Sequence, residues 1–470
     1  MNLSGVLRQL ALSSGFLGAL AMLCTLIAHL TDEPEAARGL LLTGLFAIFI
    51  ALCGAVLVRD IPAKTGPREA IWFVIGFWVI TPLMATPAFW SSGISPTLTE
   101  ALFEAISNLT TTGASLYDLA LPDALKLWRS CLQLVGGVWS VATAVVIFAA
   151  LNQTGAGVQK SHFFTLDRDN IFSHFERVAL NVLVVYAAVI FVSVVAMTIA
   201  NASIVDALTR SIAAVTTSGT LLNDGDPAAF STVPALFVCF LLYIGATNIV
   251  FHIDLIKRGE WKSYSHDPEF ISFTIGIILV GLGLCLLRGW FDFRLFAEAL
   301  SFLSTSGMSV TGIDGVPQRL PQPIPEILAF VGGSALSTAG GIKVARTLLM
   351  LNRAGTEFKR LAFSHATAQI TFRGRTRSDS IVMGVWVYIL AYLGTSVILG
   401  LGLTLSDMGF DTSFRAAVGA ISNVGSLVQP ALSGGDASEG AVMLLSLGAI
   451  LGRIEVLAIA PLFTTDFWRR

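Results

Sequence analysis

AISNLTTTG occupies residues 105–113, SIAAVTTSG 211–219, ALSFLSTSG 299–307 and AVGAISNVG 417–425. Each stretch is a run of small and apolar residues, then hydroxyl or amide residues, then Gly113, Gly219, Gly307 or Gly425. Self-similarity of this kind marks a repeat architecture. The semi-apolar segments that carry the four glycines, 99–112, 204–218, 293–306 and 411–424, are each about 14 residues long, too short to cross a bilayer as a helix. Short apolar helices of this length suit re-entrant segments, whose backbone groups must be satisfied within the protein.

Around these segments lie longer apolar runs. The spacing predicts spans at 10–30, 39–58, 70–90, 131–151, 177–200, 232–253, 271–288, 325–351, 381–405 and 441–463. Every glycine-bearing segment sits between two of them, so the unit is helix, re-entrant helix, polar glycine turn, helix, repeated four times. The composition agrees. Of 470 residues 54% are apolar and 13% charged, whereas soluble domains carry about 25% charged residues. The apolar stretch at 10–30 exceeds a signal-peptide core and reads as an uncleaved first helix.

Orientation follows from the basic residues. With the N-terminus inside, 21 of the 29 lysines and arginines fall on the inner side. The other eight, Arg38, Lys126, Arg129, Arg210, Arg288, Arg294, Arg319 and Arg415, fall outside. That bias requires the four short segments to enter and leave on the external face, and it places both termini in the cytoplasm.

The residue types suggest a chemistry. A desolvated cation needs oxygen ligands in place of its hydration shell, and backbone carbonyls supply them. Glycine lets the backbone leave helical geometry, and helix C-terminal dipoles favour a cation. Candidate filter residues are therefore Thr111, Thr112 and Gly113; Thr217, Ser218 and Gly219; Thr305, Ser306 and Gly307; and Asn423, Val424 and Gly425. The ion itself is expected at Thr112, Gly113, Ser218, Gly219, Ser306, Gly307, Val424 and Gly425. The absence of acidic residues from the four turns points to a monovalent rather than a divalent cation.

A second irregularity is GGSALSTAGG at 332–341. Each interior glycine costs a helix about 1 kcal/mol relative to alanine, so four in ten residues should break the eighth span. A flexible loop in the pore is expected there, built on Gly332, Gly333, Ser334, Ser337, Thr338, Gly340 and Gly341; close helix packing through small residues is the rival reading. Lys343 follows, either as part of this gate or as an ordinary inside-flanking charge. Arg453 lies in the apolar last span, where a charge faces the protein interior or snorkels to the interface.

FEAISNLTTTGAS (103–115), QLVGG (133–137), DPEF (267–270), GGSALSTAGGIKVAR (332–346) and LGRIEVLAIAPLF (451–463) resemble the Trk/Ktr/HKT superfamily of potassium transporters, the TrkH-type bacterial members in particular. The resemblance covers essentially the whole chain. It implies an all-α polytopic membrane protein of the bacterial inner membrane, with an N-terminal transmembrane hairpin (1–65) and four pseudo-fourfold repeats at 66–160, 161–262, 263–360 and 361–470. It implies potassium as the transported ion, with no other cofactor. It also implies that Arg453 reaches the 332–341 loop as gate, a homodimer, and a separate cytosolic nucleotide-binding regulatory subunit of the TrkA type. The basic segments 343–377 and 153–177 are candidate docking surfaces for it.

The chain departs from the family pattern at Leu134 in place of tryptophan, Ser218 in place of a second glycine, Met308 in place of an aromatic residue and Ser426 in place of proline. These departures bear on potassium over sodium selectivity. A sodium-permeable or sodium-coupled transporter of the same architecture therefore stays open as the alternative.

Other classes fit poorly. Cys24, Cys53, Cys131, Cys239 and Cys285 show no metal-ligand spacing and read as core or lipid-facing residues. No catalytic pair lies inside a span, which disfavours a membrane enzyme. A net charge of −2 suggests no nucleic-acid partner. The four copies share one orientation, unlike inverted-repeat carriers.

Overall fold

Two long apolar helices, α1 (Ser4–Leu30) and α2 (Pro34–Leu57), open the chain as a hairpin. Small residues let their backbones approach closely: a Cβ on Gly18 would stand 2.7 Å from Ile48 Cγ1, and one on Gly54 2.9 Å from the Ala11 Cβ. Such small-residue seams are how helices associate where lipid removes the hydrophobic drive. The computed structural model describes residues 3–59, 67–117, 121–150, 171–219, 232–259, 261–310, 320–363, 371–372, 375–376, 379–433 and 437–454.

The rest of the described chain is four copies of one unit. The first is α3 (Pro67–Trp90), the short α4 (Leu98–Leu109) and α5 (Asp123–Ala150). The second is α6 (Ile171–Ile199), the short α7 (Ile204–Val215) and then α8 (Thr232–Ala246), which continues as α9 (Ile249–Arg258). After a single turn, α10 (Lys262–His266), the third is α11 (Pro268–Arg288), the short α12 (Phe293–Leu303), α13 (Ile324–Val331) and α14 (Val344–Ala362). Two-residue strands β1 (Thr371–Phe372) and β2 (Arg375–Thr376) pair antiparallel before the fourth. That unit is α15 (Asp379–Thr404), the short α16 (Phe410–Ser422), α17 (Gly425–Leu432) and α18 (Glu439–Ile454). The chain is thus an all-α, multi-pass membrane protein of four helix–short helix–helix repeats behind an N-terminal helical hairpin.

Local chemistry sets the helix ends. Thr97, Ser203 and Asp292 cap α4, α7 and α12 by accepting from the amides of Glu100, Asp206 and Arg294, satisfying donors that a helix start leaves orphaned. Asp267 caps α11 through the Glu269 and Phe270 amides at 3.0 Å each, with Pro268 at the first helical position, where a missing N–H costs nothing.

Among the described residues six helices are long and apolar enough to cross a membrane alone, or seven if α8 and α9 count as one span. The other expected spans fall short for identifiable reasons. Helix α5 carries the polar Gln133 buried within the expected span and Arg129 buried just before it. Span 441–463 is described only to Ile454. The 232–253 segment, expected as one helix, is broken: α8 and α9 meet at 101° around Thr247 and Asn248. Thr247 Oγ1 bonds back to the Tyr243 carbonyl at 2.8 Å, and Asn248 Oδ1 starts a new helix by accepting from Val250 N at 3.0 Å. The 325–351 span breaks at 332–343 as expected. Its second half, however, runs to Ala362 as helix α14, so half of the basic segment 343–377 is helical rather than loop.

The core lies where the repeats meet. Phe77 stacks on Trp139 with centroids 5.7 Å apart, and Phe73 meets Phe175 edge-on at 5.1 Å, tying α3, α5 and α6 together. Such pairs add about 0.5–1.5 kcal/mol each beyond area burial.

Candidate ion pathway

The four short helices end in the same turn. In the first, the Thr111 amide donates to the Asn108 carbonyl at 3.1 Å and the Thr112 amide to Ser107 at 2.8 Å. The equivalent pairs are Thr217 to Ala214 and Ser218 to Ala213, Thr305 to Phe302 and Ser306 to Ser301, and Asn423 to Ala420 and Val424 to Gly419. This is the Schellman arrangement, which ends a helix on one left-handed residue. That residue is not the aligned glycine. It is Thr111 (φ 54), Thr217 (φ 54), Thr305 (φ 59) or Asn423 (φ 57), two positions earlier. A β-branched threonine there stores on the order of 1–3 kcal/mol of strain, held by the packing around it.

The glycines do two jobs. Gly113 (φ 77) and Gly307 (φ 66) supply positive φ. Gly219 and Gly425 do not; they are needed for close approach. A Cβ on Gly219 would overlap the Ser306 carbonyl oxygen, with the Thr112 carbonyl oxygen and the Gly425 nitrogen both 3.2 Å away. One on Gly425 would stand 2.7 Å from the Ala114 nitrogen. Gly219 is therefore surrounded by one residue from each of the other three repeats. Ser306 Oγ also donates across repeats to the Ser218 carbonyl at 3.2 Å. The twelve turn residues named from sequence converge on one place, and those of them that carry side chains are buried to within 2%.

Behind the turns the repeats share a second contact. A Cβ on Gly136, Gly245 or Gly452 would overlap the carbonyl oxygen of Leu109, Val215 or Ile421, in each case four residues before the aligned glycine. The following helix can pass the turn only because a glycine sits there. Gly136 and Gly452 lie in the quoted stretches QLVGG and LGRIEVLAIAPLF, but nothing in the sequence marked either, or Gly245, in this role.

The 332–341 segment lies directly against these turns, not in lipid. The Ser334 and Thr338 amides donate to the Ala246 and Gly245 carbonyls at 2.9 and 3.1 Å. Thr338 Oγ1 reaches the Val215 and Gly245 carbonyls at 3.2 and 3.0 Å, and it accepts from Thr217 Oγ1 at 3.3 Å. The Gly340 amide donates to Thr305 Oγ1 at 2.6 Å. A carboxylate from outside the repeat-2 turn also holds it: Glu269 Oε2 accepts from the Ala335 amide at 3.0 Å. Gly332 (φ 70), Gly341 (φ 76) and Lys343 (φ 78) are the left-handed points that let the chain double back.

Both cations singled out in the sequence point inward. Lys343 donates to the Ala339 carbonyl and, at 3.5 Å, to that of Ser337, closing the loop on itself. Arg453 neither snorkels nor stands free. Its Nη1 donates to the Thr338 carbonyl and its Nε to the Thr110 carbonyl, each at 2.5 Å, and its Nη2 to Thr111 Oγ1. The link to the loop was expected; the link to the first turn was not. A cavity beside the loop is lined by Ser140, Ser337, Gly341, Lys343 and Arg453.

Sequence reasoning passed over Asn423 as a structural link. Its Nδ2 donates to Thr112 Oγ1 at 3.1 Å and to the Ala449 carbonyl at 2.9 Å, joining repeats one and four. It also passed over Glu104, although Glu104, Arg210 and Glu298 all stand nine residues before an aligned glycine. Among the described residues no group of three or more His, Cys, Asp or Glu side chains is placed to hold a metal ion. The segment 153–177 and Glu455 lie wholly or mostly outside the described residues.

The chain matches the family model of TrkH, a cation transport protein, over residues 43–278 and 295–468. It is 30% identical over 422 residues to the Trk system potassium uptake protein TrkH of Salmonella typhimurium, covering 86% of each chain. It is 26% identical over 445 residues to the Trk system potassium uptake protein TrkG of Escherichia coli, covering 90% of each. The crystal structure of the potassium transporter TrkH from Vibrio parahaemolyticus superposes with a TM-score of 0.85 at 26% identity, over the full length of both chains.

Proposed function

The chain belongs to the TrkH family of cation transport proteins, and from that premise we propose that it takes up potassium through a channel-like pore with a four-strand filter and a loop gate. The observation that carries the reading is Gly219, which packs against Thr112, Ser306 and Gly425 of the other three repeats. Four carbonyl-lined turns around one axis can replace the hydration shell of an alkali cation. In this reading the ion is held by the carbonyls and hydroxyls of residues 111–113, 217–219, 305–307 and 423–425. The relatives named as potassium uptake proteins supply the choice of ion.

The segment 332–341 acts as the gate. It crosses beneath the turns, and Arg453 holds its Thr338 carbonyl to the first turn. Opening the path requires those bonds to break and the loop to swing aside on its left-handed points. The protein sits in the inner membrane with both termini in the cytoplasm, works as a homodimer, and is regulated by a separate cytosolic nucleotide-binding subunit. The basic helix α14 is the described part of the inner surface that such a partner would meet.

The test is the reversal potential of the purified protein in a planar bilayer with potassium on one side and sodium on the other. A potassium-favouring potential, lost or inverted in Gly113→Ser, is expected. A sodium-favouring potential in the unaltered protein would select the sodium-permeable alternative, which Ser218, in the place of a second glycine, favours. Absence of any cation current would overturn the assignment.

A further inference from the structure

Glu104 lies on α4, and its side chain is fully buried. A buried carboxylate persists only when its oxygens are paired and hydrogen-bonded. Oε2 accepts from Arg129 Nη2 at 2.6 Å and from Asn108 Nδ2 at 3.4 Å. Oε1 faces the strand that leaves the first turn: it accepts from Ser115 Oγ at 2.7 Å and from the Leu116 amide at 2.9 Å. Arg129 Nη2 also donates to Ser115 Oγ at 2.7 Å.

The same strand is clasped from the other side. The Ser115 amide donates to Gln429 Oε1 at 3.1 Å, and the Ser115 carbonyl accepts from Gln429 Nε2 at 2.8 Å. Gln429 belongs to α17 of the fourth repeat. Residue 115, two beyond Gly113, is thus fixed both to its own repeat and to a neighbouring one.

A buried ion pair is weak evidence for net stability, because desolvation offsets its attraction. What this pair does supply is position. It sets where the backbone of residues 115–116 sits, and through it the direction of the carbonyls at 112–114. At the same offset the third repeat also carries a glutamate, Glu298, whereas the second carries Arg210 and the fourth Ala416. In the fourth, the neighbouring Arg415 pairs instead with Glu326 of the third repeat at 3.0 Å. The fourth strand is therefore held differently from the first.

We propose that Glu104, Arg129 and Gln429 are positioning residues that set the discrimination between potassium and sodium by fixing the exit of the first strand. This rests on reading the four turns as the filter. Selectivity depends on small differences in the size and field of the carbonyl ring, which a clamp of this kind controls.

The test uses the full chain in planar bilayers under the same two-cation conditions, with melting temperature measured alongside. Glu104→Gln keeps the shape and removes the charge. Gln429→Leu removes the clasp from the fourth repeat without touching the ion pair. The double variant Glu104→Gln with Arg129→Gln keeps polar contacts in a neutral pair. Glu104→Gln and Gln429→Leu should each move the permeability ratio by about tenfold, or about 1.4 kcal/mol, the scale of one hydrogen bond to a charged group. The double variant should move it less than Glu104→Gln alone. If Glu104→Gln fails to fold, Gln429→Leu and the double variant carry the comparison. Variants that melt lower but keep the ratio would overturn the inference and leave the pore reading intact. An unaltered protein that passes no monovalent cation would overturn both.

Discussion

Arg453 and Thr338, 115 residues apart, meet at 2.5 Å, and the same guanidinium holds the Thr110 carbonyl. One side chain thus joins the irregular loop of the third repeat to the first turn, from a helix of the fourth. A hydrogen bond to a charged group contributes about 1.5–3 kcal/mol.

Replacing Arg453 with Gln should free the loop and raise basal cation flux into proteoliposomes by about ten- to a hundredfold, on that energy scale. Rubidium uptake checks it. Flux at the unaltered level would remove Arg453 from the gate.

Deleting residues 334–339 removes the segment that packs against the turns, together with the Thr338 contacts. Conduction should become constitutive and indifferent to regulation. Flux and regulation both unchanged would show that the loop is packing alone.

Thr305 Oγ1 accepts from the Gly340 amide at 2.6 Å. Thr305→Val leaves a buried donor unpaired, at a cost of about 1–3 kcal/mol, and should both lower the melting temperature and raise basal flux. Thr305→Ser keeps the oxygen and should restore both. Equal behaviour of the two variants would argue that the methyl group, not the bond, matters there.

Gly219→Ala puts a methyl group onto the Ser306 carbonyl oxygen and should abolish uptake. Gly283→Ala on α11 meets nothing within 4 Å. It should leave uptake intact and stabilise the helix by about 0.5–1 kcal/mol, read as a small rise in melting temperature. Uptake by Gly219→Ala at the unaltered rate would contradict the convergence of the turns.

Glu33 accepts from the Asp123 and Ala124 amides at 2.9 and 3.1 Å, capping α5 from the N-terminal hairpin. Glu33→Ala should lower stability by about 1 kcal/mol, the usual worth of a cap, without altering ion preference. A shift in reversal potential would mean that the hairpin reaches the filter.

Much of this was legible in the chain because it is written locally. Short apolar runs ending in TTTG, TTSG, STSG and NVG announce helices that stop at a polar turn, and α4, α7, α12 and α16 end where those letters predict. Four glycines in ten residues announce a break, and helix geometry fails between Val331 and Val344. Other features were not legible. The glycines suggested where the backbone turns, and Gly113 and Gly307 do take positive φ, but the residues that end the helices are Thr111, Thr217, Thr305 and Asn423, because helix ending is set by which carbonyls the next amides can reach. The bend between α8 and α9 falls at Thr247 and Asn248, two polar residues inside an otherwise apolar run that reads as one span. Cys24 and Cys131, 107 residues apart, lie with their sulfurs 4.0 Å apart, which no spacing rule detects.

By itself the sequence determined the number of repeats and the places where the four short helices and the 332–341 segment leave helical geometry, since these depend on hydropathy and on conformational preferences a few residues wide. Only the tertiary structure decided which atoms face which: that Gly219 sits among three other repeats, that Glu104 finds Arg129, and that Arg453 spans loop and turn. Those contacts join residues far apart in the chain, and each forms only because several helices, packed together, exclude every other partner for a buried polar group.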